Sequence, residues 1–289
     1  MAQQATRSLA GKTALISGAT NGIGFEAAVI LAREGANLII VGRDAARTAD
    51  SLAEVKRRSG ASSVESLLCD FSSQASIRKL AADFRTRHQR LDLLVNNAGT
   101  VSRERKLTAD GIEQTFAVNH LGYFLLTNLL LDLLVASAPA RVVNVASAGH
   151  YQGTLDFDDL GYARGYKTLR AYFRSKLGNV LFTRKLARRL EGKGVTVNAL
   201  HPGAVATNIW SDVPAWTQPI LAVMKKLFMI TPEQGAQTIT YLATSPEVEG
   251  KSGLYFEKNR MKAPSKLAQD DALADRLWSE SARLVKLPA

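Results

Sequence analysis

The chain has 289 residues, 46% of them hydrophobic and 22% charged, with a formal net charge of +11 and a single cysteine, Cys69. This is the balance of a globular protein with a sizeable core; the lone cysteine excludes an internal disulfide, and no CxxC or Cys/His zinc spacing occurs, so no metal site is expected. Lysines and arginines are spread along predicted helices, which reads as a solvated surface and not as a nucleic-acid partner.

The N-terminus, MAQQATRSLAGK, has no apolar h-region, and a cytoplasmic location is the expectation. TALIS (13–17) reads as a buried strand, a glycine cluster follows, and FEAAVILAREG reads as a helix closed by Gly35. The pattern repeats. NLIIV (37–41) precedes a charged helix near 44–59, VESLLC (64–69) precedes one near 73–89, and LDLLV (91–95) follows. A long helix is expected around 110–136; its apolar run carries Asn128 and Asp132, which favours a core or interface helix over a transmembrane span. RVVNVA (141–146), a polar Gly-rich stretch to about 166, a helix containing AYFRSK, the strand VTVNAL (195–200), a last strand near 253–256 and a helical tail near 266–285 complete the chain. Alternation of this kind predicts a single doubly wound α/β domain of the Rossmann type over 1–289, with a mostly parallel seven-stranded sheet and helices on both faces. Its cofactor-binding half would span about 11–145 and its catalytic and substrate half about 146–258, with the tail at 259–289.

Gly22, Gly24 and Ala27 satisfy the G-x-G-x-x-G/A dinucleotide fingerprint between a strand and a helix. The glycines permit a tight turn and close approach to a pyrophosphate, which helix N-terminal amides attract. At the end of the second strand an acidic residue would bind a ribose 2′-hydroxyl, whereas arginine suits a 2′-phosphate. Here VGRD offers the uncharged Gly42 and then Arg43, so NADP(H) is favoured over NAD(H), with Asp44 keeping NAD as the alternative.

Ser17-Gly18-x-x-x-Gly22-x-Gly24 resembles the glycine turn of the short-chain dehydrogenase/reductase family, with Ser for Thr. NNAG (96–99), Asn119 in FAVNHLGYF, Ser147 closing NVAS, Tyr172-x-x-x-Lys176 and HPGAVAT (201–207) follow in the family's order. The likeness covers roughly 11–258 and is greatest to the retinol dehydrogenase-like branch. The resemblance implies an oxidoreductase interconverting a carbonyl and an alcohol on a hydrophobic substrate. It implies a cofactor site formed by Ser17, Gly18, Asn21, Gly22, Ile23, Gly24, Arg43, Asp70, Phe71, Asn97, Ala98, Gly99, Tyr172, Lys176, Pro202, Gly203, Val205 and Thr207. The catalytic set it implies is Asn119, Ser147, Tyr172 and Lys176. Asn21 is not the basic residue some NADP-preferring members carry, so a 2′-phosphate would lean on Arg43.

Residues four apart share a helix face, so Tyr172 and Lys176 can reach one ligand. An ammonium within about 4 to 6 Å favours phenolate by roughly 1 to 3 pKa units, which would make the tyrosine a usable acid and base. Ser147 would hydrogen-bond the substrate oxygen, and Asn119 would support Lys176 through a water. His150 and His201 read as structural or pocket-lining. The segment 209–230 interrupts the alternation with Trp210, Trp216 and Met224 and reads as a lid over a lipophilic substrate, with packing, an oligomer contact or a membrane surface as alternatives. A homo-oligomer through the helices near 110–136 and 167–190 is a further expectation from the resemblance.

Overall fold

Residues 8–203 and 230–288 are described by the computed structural model of the chain. Strand β1 (Thr13–Ser17) is buried along all five residues, as a strand covered on both faces must be. The chain then alternates through α1 (Gly22–Arg33), β2 (Asn37–Gly42), α2 (Ala45–Ser59), β3 (Val64–Leu68), α3 (Gln74–Arg87) and β4 (Leu93–Asn96). Local chemistry sets the helix ends. Asp44 caps α2 by accepting from the Arg47 amide at 2.8 Å, Gly60 ends it at φ 71°, and Ser73 caps α3.

The long helix expected over 110–136 is broken. A short α4 (Gln114–Phe116) runs into a π-helical turn at Ala117–Leu121, followed by α5 (Gly122–Leu129) and α6 (Leu131–Ala136). Beyond lie β5 (Ala140–Val145), a 3-10 turn at Ala148–Gln152, α7 (Thr168–Arg189), β6 (Val195–His201), α8 (Pro232–Thr244), β7 (Tyr255–Glu257), β8 (Arg260–Lys262) and α9 (Asp271–Leu284).

The sheet order is β3-β2-β1-β4-β5-β6-β7-β8. Every neighbouring pair is parallel except β7 and β8. Eight strands thus replace the expected seven. The addition is an exposed three-residue edge strand with no apolar pattern, joined through Lys258 and Asn259 at φ 51° and 61°. One apolar layer joins α1, α2 and α8 to the sheet, and the other joins α3, α5, α7 and α9. Among the described residues no helix is long and apolar enough to cross a membrane.

The tail is part of the second layer. Trp278 of α9 is buried against Phe124 of α5 and Phe182 of α7, at ring-centre distances of 4.8 and 5.9 Å, and Arg188 pairs with both Asp271 and Asp275 at 2.7 Å. The tail therefore covers part of α5 and α7, which belong to the helices through which the resemblance implies a possible homo-oligomer.

Candidate active site

Because β1 to β6 run parallel, their carboxyl ends lie along one edge, and the chain reverses its winding direction between β1 and β4. Such a reversal opens a crevice beyond the strand ends. In sheet order that edge carries Asp70, Arg43, the Ser17–Gly24 turn, Asn97–Gly99, Ser147 and His201–Gly203. Residues predicted from widely separated motifs are brought to one cleft.

The turn after β1 is fastened to the end of β4. Ser17 Oγ accepts from the Asn97 and Ala98 amides at 2.9 and 3.1 Å, and Asn97 Nδ2 donates to the Ser17 and Gly18 carbonyls at 2.9 and 3.0 Å. This contact leaves no room for side chains. A Cβ on Gly18 would lie 2.7 Å from Ala98 Cα, and one on Gly24 would lie 2.3 Å from both Asn97 Nδ2 and the Gly18 carbonyl. Gly22 turns the chain at φ 56°. The extended, exposed Asn21 precedes α1 without capping it, so the amides of Gly22, Ile23 and Gly24 have no partner among the described residues. An uncapped N-terminus beside a bare backbone cradle fits a dinucleotide pyrophosphate.

At the end of β2, Arg43 is exposed and has no hydrogen bond or ion pair among the described residues. Asp44, the alternative partner for a ribose, is occupied in capping α2. Gly42 cannot be replaced by an acid without rearrangement, since a Cβ there would sit 2.1 Å from Thr48 Oγ1. Asp70 is half-buried and closes the turn into α3 by accepting from the Ser72 amide and hydroxyl at 2.9 and 2.8 Å. Phe71 is buried, its ring close enough to Gly122 that a Cβ there would be 2.8 Å away. Pro202 and Gly203 are half-buried at the end of β6, Gly203 at φ 102°. Val205, Thr207 and the predicted lid up to 229 lie outside the described residues.

The catalytic candidates converge from three elements. Asn119 is fully buried in the π-helical turn; its Oδ1 accepts from the Thr100 amide at 2.7 Å, and its Nδ2 donates to the Thr100 carbonyl and Ser175 Oγ at 2.9 and 3.1 Å. Its amide is therefore wholly occupied in tying the β4 loop to α7. Ser147 lies just beyond β5 and caps the 3-10 turn, with Oγ accepting from the Gly149 amide at 3.1 Å. On α7, Tyr172 is half-buried. Lys176 is buried, donating to the Val145 carbonyl at 2.9 Å, its Nζ 5.7 Å from the Tyr172 ring centre and 5.8 Å from that of Tyr123.

Burial dominates the electrostatics. It pushes the Tyr172 phenol above its usual range, opposed by the hydrogen bond with Ser147, and lowers the Lys176 ammonium to about 7. The expected lowering of the tyrosine by the lysine does not act in the protein alone, where the same apolar surroundings disfavour both charges. His201 is lowered to about 4, chiefly by burial.

Arg174, which no motif in the sequence singles out, is buried although it lies between Tyr172 and Lys176. It donates to the carbonyls of Thr154, Asp159 and Leu160 at 3.1, 2.5 and 2.9 Å, and its guanidinium lies 3.6 Å from the centre of the Tyr162 ring. The polar stretch before α7 is thereby clamped to the helix that carries the tyrosine. The cue in the sequence was a charge two positions from Tyr172, on a face a helix turns away from its own i+4 partner.

A cavity of about 810 Å³ lies at the opposite end of the sheet against Lys12, Asp92, Arg141 and Gly194, away from these groups. The family model for short chain dehydrogenase matches residues 12–218. The human protein named Retinol dehydrogenase 13 is 44% identical over 284 residues, covering 96% of this chain and 86% of that protein. A crystal structure of an uncharacterized protein from Mycobacterium paratuberculosis superposes with a TM-score of 0.79 at 32% identity, covering 97% of this chain and 96% of that one. The Pseudomonas aeruginosa RhlG/NADP active-site complex superposes at 0.68 with 30% identity, covering 87% and 96%.

Proposed function

The chain belongs to the short chain dehydrogenase family of oxidoreductases, and on that premise we propose that it interconverts a carbonyl and an alcohol on a hydrophobic substrate with NADP(H), using Tyr172 as acid and base. The observation that carries this reading is the placing of Tyr172 one helical turn from a buried Lys176, Nζ 5.7 Å from its ring centre, on the helix whose Phe173 packs against the Gly149 turn that follows Ser147. A bare cradle at Gly18 and Gly24, an uncapped α1 and an unengaged Arg43 support the dinucleotide and its 2′-phosphate. A neighbouring fold whose title names NADP supports the same choice, and the name of the human relative supports a lipophilic substrate.

When bound, the nicotinamide cofactor would supply or accept the hydride. The chain's residues do the rest. Ser147 Oγ, already accepting from Gly149, has its own proton to give to the substrate oxygen, where charge develops during reduction. Tyr172 delivers the proton to that oxygen, or removes it in oxidation. Lys176 uses one N–H on Val145 and has no other hydrogen-bond partner among the described residues, which leaves N–H capacity for the ribose and, when it is protonated, a positive charge to steady phenolate. Asn119 acts by holding Thr100 and Ser175 in place, and any water it offers Lys176 would be held by its backbone, since its side chain is occupied. In this reading residues 11–145 hold the cofactor, and 146–258 hold the substrate.

The test is oxidation of NADPH and NADH by the purified protein against retinal, medium-chain aldehydes and aromatic ketones, with Tyr172→Phe alongside. Turnover that prefers NADPH and vanishes in the variant is expected. Tight NADPH binding without turnover of any carbonyl would point to a non-catalytic dinucleotide-binding protein, and a saturated product from an unsaturated substrate would identify double-bond reduction instead.

A further inference from the structure

We propose that His150 is a positioning residue for Ser147, and that through it the C-terminal segment at Ala263–Ser265 holds the serine hydroxyl in register with Tyr172. The ring is fully buried, and both of its nitrogens are engaged. Nε2 lies 3.1 Å from the Ser265 amide nitrogen. A backbone amide only donates, so Nε2 holds the lone pair and the proton sits on Nδ1. Nδ1 in turn donates to the Ser147 carbonyl at 2.7 Å, and the His150 amide donates to the same carbonyl at 3.1 Å. One neutral tautomer therefore grips the serine's peptide from one side and the tail from the other.

The surroundings make the grip specific. Tyr151 and Tyr255 hold the imidazole at ring-centre distances of 4.1 and 4.6 Å, and the Tyr151 hydroxyl donates to the Ala263 carbonyl at 2.6 Å. The turn from Ser147 is thus fastened twice to the same stretch of tail. On its other side it rests on α7, where a Cβ on Gly149 would lie 2.4 Å from the Phe173 ring and one on Gly153 would lie 2.6 Å from the Phe173 carbonyl. Ser147 is consequently held between the helix carrying Tyr172 and the tail at Ala263–Ser265. A buried histidine serving only to fill the core could meet its needs at any carbonyl; this one takes the carbonyl of the residue whose hydroxyl meets the substrate oxygen.

The inference rests on the proposed reaction, and two measurements separate them. In protein labelled with ¹⁵N-histidine, the signal lost in His150→Asn is expected to report a neutral ring protonated at Nδ1; a proton on Nε2, or a charged ring at neutral pH, would overturn the latch. In kinetics, asparagine can keep the donor to Ser147 while losing Ser265, and glutamine can keep the acceptor for Ser265 while losing Ser147. Expected is a fall in kcat of about 10- to 100-fold for His150→Gln, the scale of a small misplacement at a reacting centre, with kcat within about threefold for His150→Asn and KM for NADPH unchanged in both. An unchanged kcat in His150→Gln, or equal losses in both variants that follow their melting temperatures, would sink the positioning role. Failure of the wild type to turn over any carbonyl would overturn the reaction reading, and the tautomer, which needs no turnover, would still decide the latch.

Discussion

Lys176 and Tyr172 lie on one face of α7 with the ammonium 5.7 Å from the centre of the phenol ring, and burial drives both towards their neutral forms. Lysine lowered to about 7 from its usual 10.5 makes stability depend on pH. Below about 7 folded and unfolded chains are both protonated, and the full cost of burying the charge is present. Between about 7 and 10.5 the unfolded chain binds a proton that the folded one has released, so stability rises with pH, by at most about 1.4 kcal/mol per pH unit. The raised Tyr172 acts in the opposite sense above its ordinary value. Urea unfolding of the cofactor-free protein near pH 7.5, 8.5 and 9.5 should show the rise, and Lys176→Met should flatten it; an equal slope in the variant would assign the effect to other groups.

Gly24→Ala should impair both the fold and the cofactor site. Its Cβ would be placed 2.3 Å from Asn97 Nδ2 and from the Gly18 carbonyl, and these belong to the clamp between β1 and β4. Overpacking of this kind costs about 1–3 kcal/mol. The midpoint of urea unfolding should fall, and NADPH affinity measured by fluorescence should weaken beyond what the residual folded fraction explains. Unchanged affinity would mean that the backbone here does not approach the dinucleotide.

Arg43 decides the choice of dinucleotide in this reading, because Asp44 is committed to the α2 cap and Gly42 has no room for an acid. A hydrogen bond to a charged group is worth about 1.5–3 kcal/mol. Arg43→Ala should therefore lower kcat/KM for NADPH about 10- to 100-fold and leave NADH little changed. Parallel losses with both cofactors would refute a 2′-phosphate role.

Features fixed by local backbone chemistry were legible in the sequence. The strand, glycine turn and helix at 13–33 follow from apolar runs and from positions that admit no side chain, and the shared face of Tyr172 and Lys176 follows from helical spacing, their role coming from the family resemblance alone. Features set by packing were not. The π-helical turn around Asn119 depends on Thr100 and Ser175, which the helix periodicity does not show. Strand β8 has three exposed residues and no alternation, so it was read as tail. His150 looked like an ordinary core histidine because its partner, Ser265, lies 115 residues away.

Arg174 supplies the last test, because its burial is not explained by the chemistry of its neighbours on α7. Its guanidinium holds three carbonyls of the 154–160 stretch, and the same region is joined to the β4 loop by the Tyr166 hydroxyl on the Ser102 carbonyl at 2.7 Å and by Arg105 Nε on the Gly161 carbonyl at 2.9 Å. We expect this segment, which joins Ser147 to Tyr172 along the chain, to wall the substrate side of the site. Arg174→Met keeps much of the apolar stem and removes the donors, leaving carbonyls to find water. The expected cost is about 1–3 kcal/mol of stability for the unsatisfied groups. Arg174→Lys should not restore it, since one ammonium cannot reproduce a planar fork across three acceptors. Because none of these contacts reaches the glycine turn, NADPH affinity should be retained while KM for the carbonyl rises severalfold in both variants. A loss of NADPH affinity with KM for the carbonyl unchanged would place the wall on the cofactor's side of the cleft.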